Sequence, residues 1–171
     1  MRTINLFVVH CSATREDCTL SPEALDVMHR CRGFNGTGYH YYIRKDGTLY
    51  LTRSLERIGA HAKGFNAHSI GICYEGGLDC RGRPADTRTP EQRAALRLLV
   101  HQLLEKFPDC RVCGHRDLSP DKNGNGEIEP EEWMKACPCF DAEEEFKELV
   151  AEGTVETQSK LNYLKNEKGG K

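Results

Sequence analysis

The chain has 171 residues, of which 38% are hydrophobic and 29% charged, a balance typical of one folded domain with a short tail. Its formal net charge of −2 provides no electrostatic attraction to nucleic acid or to an anionic membrane, so we expect neither as a partner. No apolar run is long enough to predict a transmembrane helix.

The amino-terminal stretch MRTINLFVVHCS lacks the long apolar region and the small-residue cleavage site of a secretory signal peptide. We therefore expect a protein that is cytoplasmic as synthesised. Its nine cysteines, an odd number, indicate reduced thiols rather than a disulfide framework. A disulfide between Cys18 and Cys31 stays open for an oxidising compartment.

Short apolar and aromatic segments alternate with amphipathic segments along the chain. We predict strands at residues 4–9, 39–43, 48–52, 69–74 and 111–114. Two helices are predicted to begin at the N-caps Ser21 and Thr89, each followed by proline, and to end near Arg32 and Phe107. His29, within the first of them, is expected at the surface. A short acidic helix is predicted at residues 141–149, and residues 151–171 read as a flexible tail.

An acidic segment between residues 121 and 132 fits the twelve-residue template of a calcium-binding loop of the EF-hand type. The glycine that the template requires at its sixth position is Gly126. The predicted ligands are Asp121, Asn123, Asn125, the carbonyl of Glu127, Glu129 and Glu132. Ser119-Pro120 precedes the loop, so the entering helix of a complete EF-hand is missing. We expect any calcium here to be structural, and the alternative is a glycine- and asparagine-rich turn with solvated acids.

Three side chains far apart in the sequence are candidate zinc ligands: His10 after the first predicted strand, His115 after the last, and Cys137 before Pro138. A catalytic zinc takes three such ligands and leaves a fourth position for water. Spacing alone favours ordinary core residues, because these three form no local motif. A structural zinc on the pairs Cys110/Cys113 and Cys137/Cys139 is a further alternative, which Pro138 argues against.

Five stretches taken together favour one family. They read FVVHCSAT, GYHYYIRKDGTLY, GAHAKGFNAHSIGICYEGG, GHRDLSP and KACPCFD. In this order they resemble the zinc-dependent N-acetylmuramoyl-L-alanine amidases, in particular the bacteriophage lysozyme-amidase branch, which is related to the peptidoglycan recognition proteins. The resemblance covers roughly residues 4–150, so we predict an amidase domain at residues 1–150 that contains the calcium-like loop as an insertion.

The resemblance implies a single α/β domain with a central mixed sheet flanked by helices and zinc in a surface groove. It implies hydrolysis of the amide between N-acetylmuramic acid and the L-Ala of the stem peptide. It assigns the zinc ligands to His10, His115 and Cys137 and the catalytic roles to Tyr39 and Lys135.

The same resemblance places His61 in the groove as a substrate contact. Other branches have a glutamate as general base where this chain has Cys73, so the base stays open, with Glu75 as a fallback. We expect a monomer whose partner is peptidoglycan or a muropeptide, acting on the wall after release or export, or on recycled muropeptides. The alternatives are a non-catalytic muropeptide-binding module and a structural zinc protein.

Overall fold

A computed structural model describes residues 2–152. Its strands are β1 (Leu6–Cys11), β2 (Thr14–Arg15), β3 (Tyr41–Ile43), β4 (Leu49–Leu51), β5 (Ser69–Tyr74), β6 (Gly77–Leu78) and β7 (Arg111–Gly114). Its helices are α1 (Pro22–Cys31), α2 (Pro90–Lys106) and α3, which begins at residue 142 and continues to residue 152. Three short 3-10 helices lie at Asn66–His68, Arg116–Leu118 and Pro130–Glu132.

Five strands form a mixed sheet in the order β4-β3-β5-β1-β7, and β2 pairs with β6. Strand β1 is parallel to both β5 and β7, whereas β4 runs antiparallel to β3. The predicted α/β domain with a mixed central sheet is confirmed. None of the helices within residues 2–152 has the length and apolar character needed to cross a membrane.

The two faces of the sheet are covered differently because successive side chains of a strand point to opposite sides. Phe7 and Val9 of β1 face a large core that α2 and α3 complete, with Leu96 and Phe146 fully buried. The opposite face is covered by α1, where Leu25 packs near Tyr42 and Cys73. Helix α2 begins with the predicted capping box between Thr89 and Gln92.

Several predicted boundaries shift in the structure. Strand β1 extends beyond the predicted residue 9, so His10 lies inside the strand, where it pairs with Cys73. Strand β3 begins at Tyr41, which leaves Tyr39 and His40 in the preceding segment. The expectation for His29 was wrong: it is buried, and its Nδ1 accepts a hydrogen bond from the backbone N–H of Gly38 at 2.8 Å.

Of the predicted tail, the structure describes only residues 151 and 152, which continue α3; residues 153–171 lie outside the described part of the chain.

Candidate metal centre and active site

His10 projects from β1 on the face opposite α2 and is only 1% exposed. Its Nδ1 lies 3.8 Å from the Sγ of Cys137, and its ring centroid lies 4.7 Å from that of His115. Strand β1 therefore places one imidazole where the two other candidate ligands meet.

His115 follows directly after β7 and begins the 3-10 turn Arg116–Leu118. Its backbone N–H donates to the carbonyl oxygen of Val9 at 3.1 Å, which continues the pairing of β7 with β1. Because the two strands are parallel neighbours, their carboxyl ends bring His115 and His10 together.

Cys137 is delivered by the chain that returns after the acidic segment. The backbone N–H of Arg116 donates to the carbonyl oxygen of Cys137 at 2.8 Å, and the Tyr74 hydroxyl donates to that of Pro138 at 2.6 Å. The backbone N–H of Cys11 donates to the Cys137 Sγ at 3.3 Å. The cysteine sulfur is thus held from the sheet as well as from its own loop.

The ligand atoms of His10, His115 and Cys137 all lie within 4.8 Å of one another. Within residues 2–152, no other group of three or more His, Cys, Asp or Glu side chains comes together in this way. Two imidazole nitrogens and one thiol sulfur match the ligand types of a catalytic zinc site, which leaves one position open. The structure therefore contains a possible metal-binding triad at the predicted residues.

Both histidines of the triad favour the neutral form that binds metal. Burial lowers the pKa of His10 well below its usual value, and the charges of His61 and His115 act in the same direction. Burial also lowers the pKa of His115, to which the positive charge of Lys135 adds. At neutral pH each ring therefore keeps an unprotonated nitrogen for a cation.

Tyr39 lies against the triad, with its ring centroid 5.0 Å from that of His10 and 5.3 Å from that of His29. Burial raises the pKa of Tyr39 well above its usual value, and the nearby thiols of Cys73 and Cys137 add to the effect. The phenol therefore stays protonated at neutral pH and can donate a hydrogen bond next to the triad.

A cavity of about 420 Å³ opens onto this centre. Its lining residues are Phe34, Ala60, His61, Ala62, Lys63, Phe65, Asn66, His115, Leu118, Met134 and Lys135. Lys135 is exposed, and within residues 2–152 its ammonium group has no hydrogen-bond acceptor or carboxylate partner. His115 of the triad and the ammonium group of Lys135 thus face the same cavity, where the ammonium group is available to a bound molecule.

His61 also lines the cavity, as its predicted substrate contact requires, but its nitrogens face the protein. Its Nδ1 lies 3.0 Å from the Nε2 of His10, and its Nε2 lies 3.3 Å from the Oγ of Ser69. Desolvation lowers the pKa of His61 to about 3, with the charges of His40 and His115 as smaller causes, so the ring is neutral. Sequence reasoning missed this contact with His10, for which the sequence carries no local signal.

The fallback base Glu75 is fully buried, and its carboxylate is already occupied. One oxygen accepts from the backbone N–H of Leu20 at 2.6 Å, and the other accepts from Arg44 at 2.6 Å and from Lys45. None of these three partners lines the cavity. Glu75 therefore has a structural role: it follows β5 and ties the segment around Leu20 to the end of β3.

The alternative structural zinc on four cysteines is not formed. Cys110, which immediately precedes β7, packs in the α2 core, whereas Cys113 within β7 packs on the opposite side of the sheet. All nine cysteines are free, including Cys18 and Cys31.

The acidic segment folds as a compact loop held by its own side chains. Asp121 accepts hydrogen bonds from the backbone N–H groups of Gly124 and Gly126 at 2.6 and 2.8 Å. Glu132, which is 5% exposed, accepts from those of Lys122, Asn123 and Glu129. The side-chain oxygens of Asn123 and Asn125 each accept the N–H two residues further on.

Comparison with known proteins agrees with this geometry. The family model described as N-acetylmuramoyl-L-alanine amidase matches residues 1–139. The endolysin of Enterobacteria phage K11 is 36% identical over 146 residues, which cover 84% of this chain and 87% of that protein. The endolysin of Escherichia phage T7 is 35% identical over 144 residues, with 83% and 86% covered.

Among solved structures, the N-acetylmuramoyl-L-alanine amidase LysC from Clostridium intestinale URNW superposes with a TM-score of 0.64 at 29% identity. The match covers 88% of this chain and 85% of that chain. The chain therefore belongs to the N-acetylmuramoyl-L-alanine amidase family, as its motifs predicted, and is an enzyme of that class.

Proposed function

We propose that this amidase cleaves the bond between the lactyl group of N-acetylmuramic acid and the L-Ala of the stem peptide with a zinc ion held by His10, His115 and Cys137. The observation that carries the proposal is the convergence of these three ligand atoms at a cavity in a chain of this family. When bound, such an ion lowers the pKa of a water molecule to about 7 and polarises the amide carbonyl.

The chain's own residues would complete the chemistry. Lys135 lies at the cavity beside His115 with a free ammonium group, so it can stabilise the negative charge that develops on the carbonyl oxygen. Tyr39 keeps its proton next to His10 and can orient the attacking water and relay a proton to the leaving nitrogen.

Cys73 stands where other branches of the family have a glutamate base, and burial raises the pKa of its thiol well above the usual value. Because a protonated thiol cannot accept a proton, Cys73 is unsuited to act as the base. Tyr39 keeps its proton for the same reason, so we assign to it the donation of a hydrogen bond and the relay of a proton near the triad, not the role of a base.

The alternative function is recognition of muropeptides without hydrolysis. A binding module needs the groove but no metal ligands. The presence of Cys137 in the triad, with a lysine at the cavity, favours hydrolysis.

Digestion of intact sacculi and of soluble muropeptides, followed by mass spectrometry, tests the bond and the substrate form together. We expect stem peptides with a free L-Ala amino terminus from at least one substrate, loss of activity on chelation, and recovery with one equivalent of zinc. Full activity of protein without stoichiometric metal would refute the zinc mechanism. Products from sacculi would indicate action on the wall, and products from muropeptides alone would indicate recycling.

We also propose that residues 121–132 bind calcium in a structural role. Two of the predicted ligands, Asp121 and Glu132, already accept backbone hydrogen bonds of the loop, which hold the segment in a compact conformation. Addition of calcium to chelator-treated protein should raise the melting temperature. Asp121→Ala should abolish this shift, and an unchanged melting temperature in the wild-type protein would exclude the site.

The partner is peptidoglycan or a muropeptide, and the active species is a monomer. Sedimentation at several concentrations tests the latter, and a concentration-dependent dimer would contradict it.

A further inference from the structure

The two ring nitrogens of His10 have different neighbours. Nδ1 faces the Sγ of Cys137 at 3.8 Å, whereas Nε2 lies 3.0 Å from the Nδ1 of His61. On the far side of His61, Nε2 lies 3.3 Å from the Oγ of Ser69. A chain of three side chains therefore runs from the metal triad to the start of β5.

We propose that His61 is a positioning residue that fixes the tautomer and the ring orientation of His10 for metal binding. This inference rests on the proposed function, because it assumes that His10 binds the ion. It assigns to His61 a role through His10 in place of a polar contact with substrate.

The proton positions follow from the geometry. If Nδ1 of His10 is the metal-binding atom, the ring proton must be on Nε2, which then donates to the Nδ1 of His61. The neutral His61 must in turn carry its proton on Nε2, from which it donates to Ser69. Outer partners of this kind orient metal-binding histidines, and loss of one typically lowers metal affinity 10- to 100-fold.

The protein holds the His61 ring in a slot that side chains larger than hydrogen would fill. A Cβ placed on Gly59 would come within 2.5 Å of the ring, and one placed on Gly71 of β5 within 2.6 Å. The backbone is fixed as well, because the N–H groups of His61 and Ala62 both donate to the Oδ1 of Asn66 at 2.9 Å. The acceptor nitrogen is therefore in place before any metal binds.

The same contacts leave His61 little capacity for substrate. Both ring nitrogens are engaged within the protein, so neither is free for a ligand in the cavity. A side chain used for polar recognition would instead present a free nitrogen to the cavity.

Two amide variants separate the acceptor from the bulk of the ring. The oxygen of Asn can occupy the position of His Nδ1, whereas the amide of Gln extends to the position of His Nε2. We expect His61→Asn to retain zinc affinity within about threefold of wild type, and His61→Gln to lose about 10- to 100-fold, measured by competition with a chelator. Cobalt substitution should show an altered visible spectrum only for His61→Gln.

Equal zinc affinity in wild type and His61→Gln would overturn the inference, and so would equal losses in both variants, which would indicate a requirement for the ring itself. A measurement on the wild-type protein does not depend on how the variants fold. Nitrogen-15 NMR of the zinc-loaded chain should show His61 with its proton on Nε2, and a proton on Nδ1 would overturn the inference.

The failure of the proposed function would look different. If the wild-type protein does not bind one equivalent of zinc in the same competition, the zinc mechanism fails. If it binds zinc normally and only the predicted contrast between the variants is absent, the zinc mechanism stands and the role of His61 is refuted.

Discussion

The backbone N–H of Cys11 donates to the Sγ of Cys137 at 3.3 Å, although 126 positions separate the two residues in the chain. Cys11 is the neighbour of His10 in β1, so one strand supplies one candidate ligand directly and supports another through its main chain. A separate side-chain hydrogen bond with Cys137, together with burial, raises the pKa of the Cys11 thiol to about 12, so this side chain stays protonated. Of these two cysteines, Cys137 is therefore the one that we expect to bind a metal cation.

Replacement of Cys137 tests this difference between neighbouring cysteines. We expect Cys137→Ala to lose stoichiometric zinc and at least 100-fold in activity, because two imidazoles alone make an incomplete site. Cys139→Ala is the matched control, since the Sγ of Cys139 contacts Cys11 and the carbonyl oxygen of Gly77 outside the triad. Metal analysis and a muropeptide assay measure both effects, and normal zinc content in Cys137→Ala would contradict the ligand assignment.

Replacement of Lys135 should separate metal binding from turnover. Lys135→Ala removes a positive charge near the triad, but Lys135 is not one of the proposed metal ligands. Zinc content should therefore remain, while kcat falls about 100- to 1,000-fold. Lys135→Arg should retain more activity than Lys135→Ala because it keeps the charge. Lys147→Ala, which removes a lysine paired with Glu144 on the surface of α3, should behave as wild type. A Lys135→Ala enzyme with unchanged kcat would exclude the oxyanion role.

Removal of one hydroxyl tests Tyr39. Tyr39→Phe keeps the ring that packs against His10 and His29 and deletes only the proton donor. We expect unchanged zinc affinity and a kcat lower by about 100-fold or more. Tyr50→Phe on β4, where Tyr50 is 37% exposed, controls for the substitution. If Tyr39→Phe lowers only zinc affinity, the hydroxyl acts on the metal site and not on the reaction.

The buried His40 should make the metal-free protein lose stability in mild acid. Burial lowers the pKa of His40 to about 4 in the folded state, whereas the unfolded chain has a value near 6.5. Below about pH 6.5 the unfolded state therefore binds more protons than the folded state. The free energy of unfolding falls progressively as the pH is lowered, until the pH reaches about 4. Between pH 7 and pH 5 we expect His40 to contribute a loss of about 2 kcal/mol in the free energy of unfolding.

Urea unfolding of the metal-free protein at both pH values measures that loss. In His40→Asn the side-chain oxygen can still accept the N–H of Gly71, which His40 Nδ1 accepts at 2.9 Å, but the side chain cannot be protonated. The variant should therefore show a smaller difference between the two pH values than wild type. An equal difference would show that His40 does not titrate in this range.

The sequence predicted best where the structure is local. Ser21 and Thr89 cap their helices as expected, and the last strand has the predicted bounds, Arg111–Gly114. The three zinc candidates came from a resemblance between motifs, because no periodicity or spacing brings residues 10, 115 and 137 together.

What the sequence could not show depends on contacts between distant segments. His29 was expected at the surface because a polar residue in an amphipathic helix usually faces water, but the backbone N–H of Gly38 supplies a buried partner for its ring. The pairing of His61 with His10 also depends on tertiary packing, because the His61 ring occupies space that a side chain at Gly71 of β5 would fill.

The backbone hydrogen bond from Arg116 to Cys137 closes the chain at the base of the acidic segment. A second closure lies beside it, where the Arg116 guanidinium stacks over the ring of Trp133 at 4.3 Å. Residues 120–132 therefore form a loop whose two ends are held together at a base positioned by β7 and by Tyr74. Each doubling in the length of a closed loop costs only about 0.6 kcal/mol of conformational free energy. The length and sequence of this loop can therefore change during evolution without displacing the Sγ of Cys137.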